Sequence, residues 1–390
     1  MTRAFPEIDS RLQETEADAF LQTATAADPD QRYLTGFGSV DPFTSLYYGG
    51  QLSLLVRGLD VELAKEESLT TSVVSPTEYD YEGLRETYDD DEAEARVIKR
   101  FCADHDVSNV LVPPQYPIGS AEYLREFGLT VLPDRSGTIP GMRAIKTPEE
   151  IAFIQEAQQA TEAAMHRVET LLREATIEDG TILHDETTLT SEFLKAEIER
   201  TLIRHGCSLE ETIVASGSQG ANPHDRGSGP LEAHTPIVVD IFPRHKGSKY
   251  HADMTRTFCV GEPSAAMQER YDLTLHAFEA ACKMLAPGVT GEAVHNAVCD
   301  VYEEAGYPTA RSTPGTSVGF THGTGHGVGL EVHESPRVSS GGQELVPGHV
   351  ITIEPGLYHP QHGGIRIEDL LVITEDGFEN LTTYPKAFVL

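Results

Sequence analysis

Apolar residues recur along this chain in two periods, and the places where the period changes divide it. From Glu149 to Leu172 they fall three and four apart, a stripe that predicts one long amphipathic helix. Thr147 and Pro148 stand at its N-cap and first helical position. A second helix is expected over Leu189–His205, with the polar, Gly-containing stretch Thr176–Glu186 as an exposed loop between them. Strand-like runs follow at Thr212–Ala215, Pro236–Phe242 and Tyr250–Val260. Helices over about Ser264–Leu285 and Gly291–Ala305 then precede strands at His349–Glu354 and Ile365–Thr374. Two helices followed by strands occur twice, which predicts an internally duplicated α+β domain, although the halves share no obvious repeat. Upstream, QRYLTGFGSV (from residue 31) and SLYYGGQLSLLV look like strands, the latter folded at Gly49-Gly50. A helix over 91–105, a strand over Ser108–Pro113, a helix near Ala121–Phe127 and a strand at Thr130–Leu132 complete a smaller α/β domain. The boundary is expected within Gly141–Pro148, giving domains of residues 1–144 and 145–390.

Composition narrows the function. The chain has 390 residues, 39% of them hydrophobic, enough for a packed core. No apolar run is long enough to span a membrane, and the N-terminal stretch lacks an apolar signal core. Cys102, Cys207, Cys259, Cys282 and Cys299 are dispersed without CxxC spacing, which predicts reduced thiols and a cytoplasmic location. Asp and Glu number 62 against 29 Lys and Arg, a net charge of −33. Such a surface repels nucleic acid and anionic membranes. Its self-repulsion is screened only at high salt, where the Debye length is about 3 Å at 1 M, so a salt-rich cytoplasm is expected.

Residues 321–336 read THGTGHGVGLEVHESP. The alternating glycines do not make a phosphate loop, because no Gly-Lys-Ser/Thr follows and no strand–GxGxxG–helix pattern surrounds them. His333-Glu334 does not open a zinc-protease helix, because Arg337 stands where the second histidine belongs and Pro336 breaks the helix. A loop or strand edge at which a substrate or metal closely approaches the main chain is favoured over a set of surface histidines in a loose turn.

Acids elsewhere give these histidines a partner. Asp240 interrupts the apolar run Ile237–Phe242. With a turn at Lys246-Gly247, Asp253 lies directly opposite it, where cross-strand Cβ atoms are about 4.5–5.5 Å apart. Glu354 ends the strand HVITIE, and Glu368 lies in GIRIEDLLVIT, sharing a face with Arg366. An odd-length loop around Gln361 brings the two glutamates opposite each other. Four carboxylates on apolar strands are not held without counter-charge, and Arg366 offsets only one. Two divalent cations balance the four, and an imidazole from the glycine-rich stretch completes an O/N donor set suited to Mn, Co, Fe or Zn.

In this order, Asp240, Asp253, His326 in GTGHGVGLEVHE, Glu354 in ITIEPG and Glu368 in RIED resemble the ligands of the dinuclear-metal pita-bread peptidases: Xaa-Pro aminopeptidases, Xaa-Pro dipeptidases (prolidases) and methionine aminopeptidases. The resemblance covers residues 145–390, while residues 30–140, with YLTGF, are similar to the N-terminal domain of the creatinase/prolidase branch. It implies a pita-bread catalytic domain that cleaves the bond before proline, in dipeptides or at peptide N-termini, with a metal-bridging hydroxide as nucleophile. Asp240 would chelate one ion, Asp253 and Glu368 would bridge both, and His326 and Glu354 would bind the second. Glu354 would also handle the nucleophile's proton. His224 would assist substrate binding or proton transfer, His333 would donate to the scissile carbonyl, and His322 would lie beside the substrate. Arg366 would orient Glu368 and Asp253. A homodimer acting on small peptides is implied as well. Two features depart from the family pattern: the Asp240–Asp253 spacing is two residues longer, and Asp225 follows His224 where relatives often carry tyrosine.

Overall fold

The computed structural model describes residues 4–70 and 72–390. They form two compact units, the break falling between Arg143 and Ala144.

In the first unit a six-stranded mixed sheet is assembled from Ala19–Ala24, Phe43–Tyr48, Gln51–Leu55, Ser72–Val74, Asn109–Val112 and Thr130–Pro133. The hairpin at Gly49-Gly50 forms with both glycines at positive φ, as its sequence demands. Residues 31–35, expected as strand, are helical: the helix is Pro29–Thr35. Asp28 caps it by accepting from the Gln31 N–H, Pro29 starts it and Gly36 ends it at φ 65°. Those end signals override the β preference of Tyr33, Leu34 and Thr35.

The second unit has two halves. In the first, helices Pro148–Arg173 and Ser191–Arg204 cover a three-stranded antiparallel sheet of Ile213–Ser216, Ile237–Ile241 and Met254–Phe258. The long helix opens on a reciprocal Thr147–Glu150 capping box with Pro148 next, and buries Ile154, Ala157, Ala164, Met165, Val168 and Leu172. In the second half, helices Ala265–Met284 and Gly291–Glu304 cover a five-stranded sheet. Its strands run in the spatial order Glu334–Val338, Gly325–Gly327, Val350–Ile353, Asp369–Thr374 and Gly377–Asn380. The expected order of helices and strands is present twice, each half with its own apolar cluster. The expected loop over 176–186 is instead a small antiparallel sheet of Thr176–Glu178, Thr181–His184 and Thr187–Thr188. Its first turn is Asp179-Gly180 with φ 48° and 79°, the hairpin chemistry that polarity alone hides.

The C-terminal residues belong to this unit. The Cys259 N–H donates to the Phe388 carbonyl, the Leu390 N–H donates to the Cys259 carbonyl, and the Phe388 ring stacks on Tyr271. All five cysteines are free thiols. No helix of the described residues is long and apolar enough to cross a membrane.

Candidate metal centre

The hairpin register differs from expectation by one pair on each strand. Asp240 faces Thr255, not Asp253. The turn is the longer Lys246–Lys249 segment, closed by bonds between His245 and Tyr250 and between Lys249 and His245, with Lys249 at φ 72°. Because the slip is even, Asp253 stays on the face of Asp240 and becomes its diagonal neighbour. The second pair of acids lies as expected. Val350–Ile353 pairs antiparallel with Asp369–Thr374, and Gly356–His359 with Gly363–Arg366, in one continuous register. Glu354 and Glu368 take the facing positions between these ladders, where the chain passes from one sheet to another.

These strands converge on one centre. One ligand atom each from Asp253, His326 and Glu368 lies within 4.8 Å of the others. His326 Nε2 is 3.7 Å from Asp253 Oδ2 and 3.4 Å from Glu354 Oε1. His326 Nδ1 donates to the Gly327 carbonyl at 3.2 Å, so the Nε2 lone pair faces the acids. Burial, with His333 adding to it, lowers the His326 pKa to about 3, so the ring is neutral. Burial and neighbouring carboxylates raise Asp253 and Glu368 well above the usual carboxylate range. Burial first, and then Asp240, push Glu354 up to about 7. Asp240 is held by Arg366 Nη2 at 2.7 Å. Oδ1 of Asp240 and Oδ1 of Asp253 are both buried without a hydrogen-bond partner among the described residues. Orphaned anionic oxygens beside a neutral imidazole lone pair fit divalent cations, and an apolar or purely hydrogen-bonded core would leave them unexplained.

Glycines let the histidine strand in. A Cβ on Gly325 would lie 1.9 Å from the Thr352 carbonyl oxygen, and one on Gly327 would lie 2.2 Å from that of Ser335. On this side the bare backbone serves strand packing, and His326 projects from the opposite face. The His333 ring stands edge-on to His326 at 4.2 Å, is exposed, and makes no hydrogen bond to any described residue. His322 is engaged at both nitrogens. Nδ1 donates to the Gly323 carbonyl at 2.7 Å, and Nε2 accepts from the Tyr358 hydroxyl at 2.8 Å. Burial and the nearby Arg366 charge lower His322 to about 3. His224 is exposed in the loop after Gly217–Ala221, near both His322 and His333.

Several contributors went unnoticed in the sequence. Tyr358 bridges His322 to Arg366, whose Nη1 donates to its hydroxyl at 3.0 Å. Its ring lies over Gly356, where a Cβ would come 2.5 Å from the hydroxyl oxygen. Thr352 accepts from the His326 N–H and faces Glu354 Oε1 at 3.4 Å. Thr255 accepts from Arg366 Nε at 3.1 Å and donates to Glu368 Oε2 at 2.7 Å. Arg256, fully buried, donates to the carbonyls of Thr255, Glu368, Tyr384 and Pro385 and to Asp369 Oδ1. The period-two pattern after Asp253 would have placed Thr255 on the acidic face.

A family model described as metallopeptidase family M24 matches residues 152–375. The chain belongs to that family. It is a metallopeptidase with the pita-bread α+β fold, in the prolidase branch. It is 30% identical to the Xaa-Pro dipeptidase of Pyrococcus horikoshii, over 92% of this chain and 91% of that one. The Xaa-Pro dipeptidase structure from Bacillus anthracis superposes with a TM-score of 0.81 at 25% identity, covering 99% of both chains. The X-Pro aminopeptidase structure from Thermotoga maritima superposes at 0.78 with 27% identity, covering 97% of this chain and 100% of that one. The M24 match encloses all the acids and histidines described above, and the family's dependence on divalent metal agrees with their chemistry.

Proposed function

We propose that this M24 peptidase hydrolyses the peptide bond preceding proline, in Xaa-Pro dipeptides or at peptide N-termini, using two divalent cations held by Asp240, Asp253, His326, Glu354 and Glu368. Asp253 and Glu368 would face both ions, Asp240 the first, and His326 and Glu354 the second. The observation carrying this reading is the set of Asp253, Glu354 and Glu368 around the Nε2 lone pair of His326, with buried Oδ1 atoms of Asp240 and Asp253 that have no hydrogen-bond partner among the described residues. Manganese is the preferred ion on this reading, with Co, Zn or Fe as substitutes, because oxygen donors outnumber the single imidazole. When bound, such ions supply a water of lowered pKa and polarise a carbonyl.

The chain's own groups do the rest. Glu354, whose Oε1 lies 3.4 Å from His326 Nε2 at the centre of the site, is placed to receive the proton of the attacking water and pass it towards the leaving nitrogen. His333, without a hydrogen bond to any described residue and edge-on to His326, is placed to donate to the carbonyl oxygen as charge develops there. His224, on its exposed loop, serves substrate binding or proton transfer. With both ring nitrogens occupied, His322 contributes shape and holds Tyr358, while Arg366 fixes Asp240 directly and Glu368 through Thr255. The acidic surface and unpaired cysteines support a salt-rich cytoplasm, and a homodimer is the assembly this branch suggests.

The test is incubation of purified protein with Mn²⁺ in high salt and either Ala-Pro or a longer Xaa-Pro peptide. Release of proline from Ala-Pro alone identifies a dipeptidase, and trimming of the longer peptide identifies an aminopeptidase. No release from either overturns the reading.

A further inference from the structure

Glu368 lies in a break between two sheets. Gly363–Arg366 pairs with one strand and Asp369–Thr374 with another, so Ile367 and Glu368 have no ladder of their own. The Ile367 N–H donates to the Pro355 carbonyl at 3.3 Å, and the other contacts here come from three consecutive residues of the strand Met254–Phe258 that follows Asp253. The Thr257 hydroxyl accepts from the Arg366 N–H at 3.0 Å and donates to the Arg366 carbonyl at 2.9 Å. The Glu368 N–H donates to the Thr255 carbonyl at 3.1 Å, and Arg256 Nη1 donates to the Glu368 carbonyl at 2.6 Å. Only one of these contacts reaches the Glu368 carboxylate: the Thr255 hydroxyl, at 2.7 Å from Oε2.

The direction of that bond is fixed. Arg366 Nε can only donate, so the Thr255 oxygen accepts there and its proton is left for Glu368 Oε2. Arg366 is itself pinned by Asp240 at 2.7 Å and Tyr358 at 3.0 Å. The geometry points to Thr255 as a positioning residue. Its hydroxyl transmits the fixed orientation of Arg366 to Glu368 and sets the carboxylate orientation in which Glu368 would hold metal. This role rests on the reading of Glu368 as a metal ligand. Loss of a partner that orients a ligand typically costs 10–100-fold in metal affinity or activity.

Two variants separate positioning from packing. Thr255→Val keeps the shape and loses the hydroxyl, whereas Thr255→Ser keeps the hydroxyl and loses a buried methyl. Each is stripped of metal and titrated with Mn²⁺ by calorimetry, then assayed for kcat and KM and melted. Thr255→Val is expected to bind one of its two Mn²⁺ ions at least 10-fold more weakly, with kcat falling and KM within about threefold of the parent. Thr255→Ser is expected to stay within threefold of the parent in Mn²⁺ affinity even if its Tm drops. Parent-like Mn²⁺ binding by the valine variant overturns the proposal. So does weak binding by the serine variant, which also decides the matter if the valine variant does not fold. A parent protein that binds no Mn²⁺ defeats the metal-centre reading itself, a result separate from either variant's.

Discussion

Asp253 is nearly inaccessible, has one carboxylate oxygen without a donor, and sits among three other acids. A cation bound there answers a local deficit that no side chain meets. Asp253→Asn is expected to lower metal content by elemental analysis and to cut kcat/KM by more than about 100-fold, beyond the range for ligand-orienting partners. Full metal and full rate would refute its place at the centre. His333→Ala is expected to retain the parent's metal content while kcat falls by roughly 100-fold, the scale of one lost oxyanion donor. Unchanged kinetics would remove His333 from the chemistry. The acids were legible because a charged residue inside an apolar run, as at Asp240, contradicts its surroundings. Thr255 and Tyr358 were not, because hydroxyl and aromatic residues are ordinary strand formers and nothing local marks them.

Strand Gly325–Gly327 carries His326 only because its neighbours can close on a backbone without side chains. Gly325→Ala would drive a methyl into the Thr352 carbonyl, so it is expected to destabilise by about 3 kcal/mol or more in urea unfolding and to lower Mn²⁺ content with it. At the start of the adjoining strand, His349 Nδ1 accepts from the Val346 N–H at 3.2 Å. Burial first, then the Lys146 charge, lower its pKa to about 4. The unfolded chain takes up that proton near the ordinary histidine value of about 6.5. The stabilisation is therefore whole above that pH and is lost as pH falls towards 4. His349→Asn, whose amide oxygen can replace Nδ1, is expected to lose on the order of 1 kcal/mol less stability than the parent between pH 7.5 and pH 5. Equal losses would show that His349 binds its proton equally in the folded and unfolded states. Element types were legible from periodicity and caps, as for the helix opened by Thr147. The register of the Asp240 hairpin was not: Lys246-Gly247 looked like a two-residue turn, and only the bonds from His245 to Tyr250 reveal the wider one.

The whole molecule carries −33 charges, and its twofold plan of helices over strands was readable from element order. Raising KCl from 0.1 to 2 M is expected to raise Tm progressively, because screening removes repulsion between like charges. A Tm indifferent to salt would sever this composition from a saline habitat. What composition could not convey is how far apart in the chain the partners of one side chain lie. Arg256 takes two of its acceptors from Tyr384 and Pro385, and the same guanidinium supports Glu368. During synthesis, then, the hydrogen bonds of Arg256 that accompany its support of Glu368 are incomplete until those late carbonyls leave the ribosome. A product halted at Thr383 should emerge unable to retain Mn²⁺ through gel filtration, and retention at parental stoichiometry would disprove the dependence. By this arrangement the support of the candidate centre is completed only by residues 384 and 385, far along the chain from Arg256.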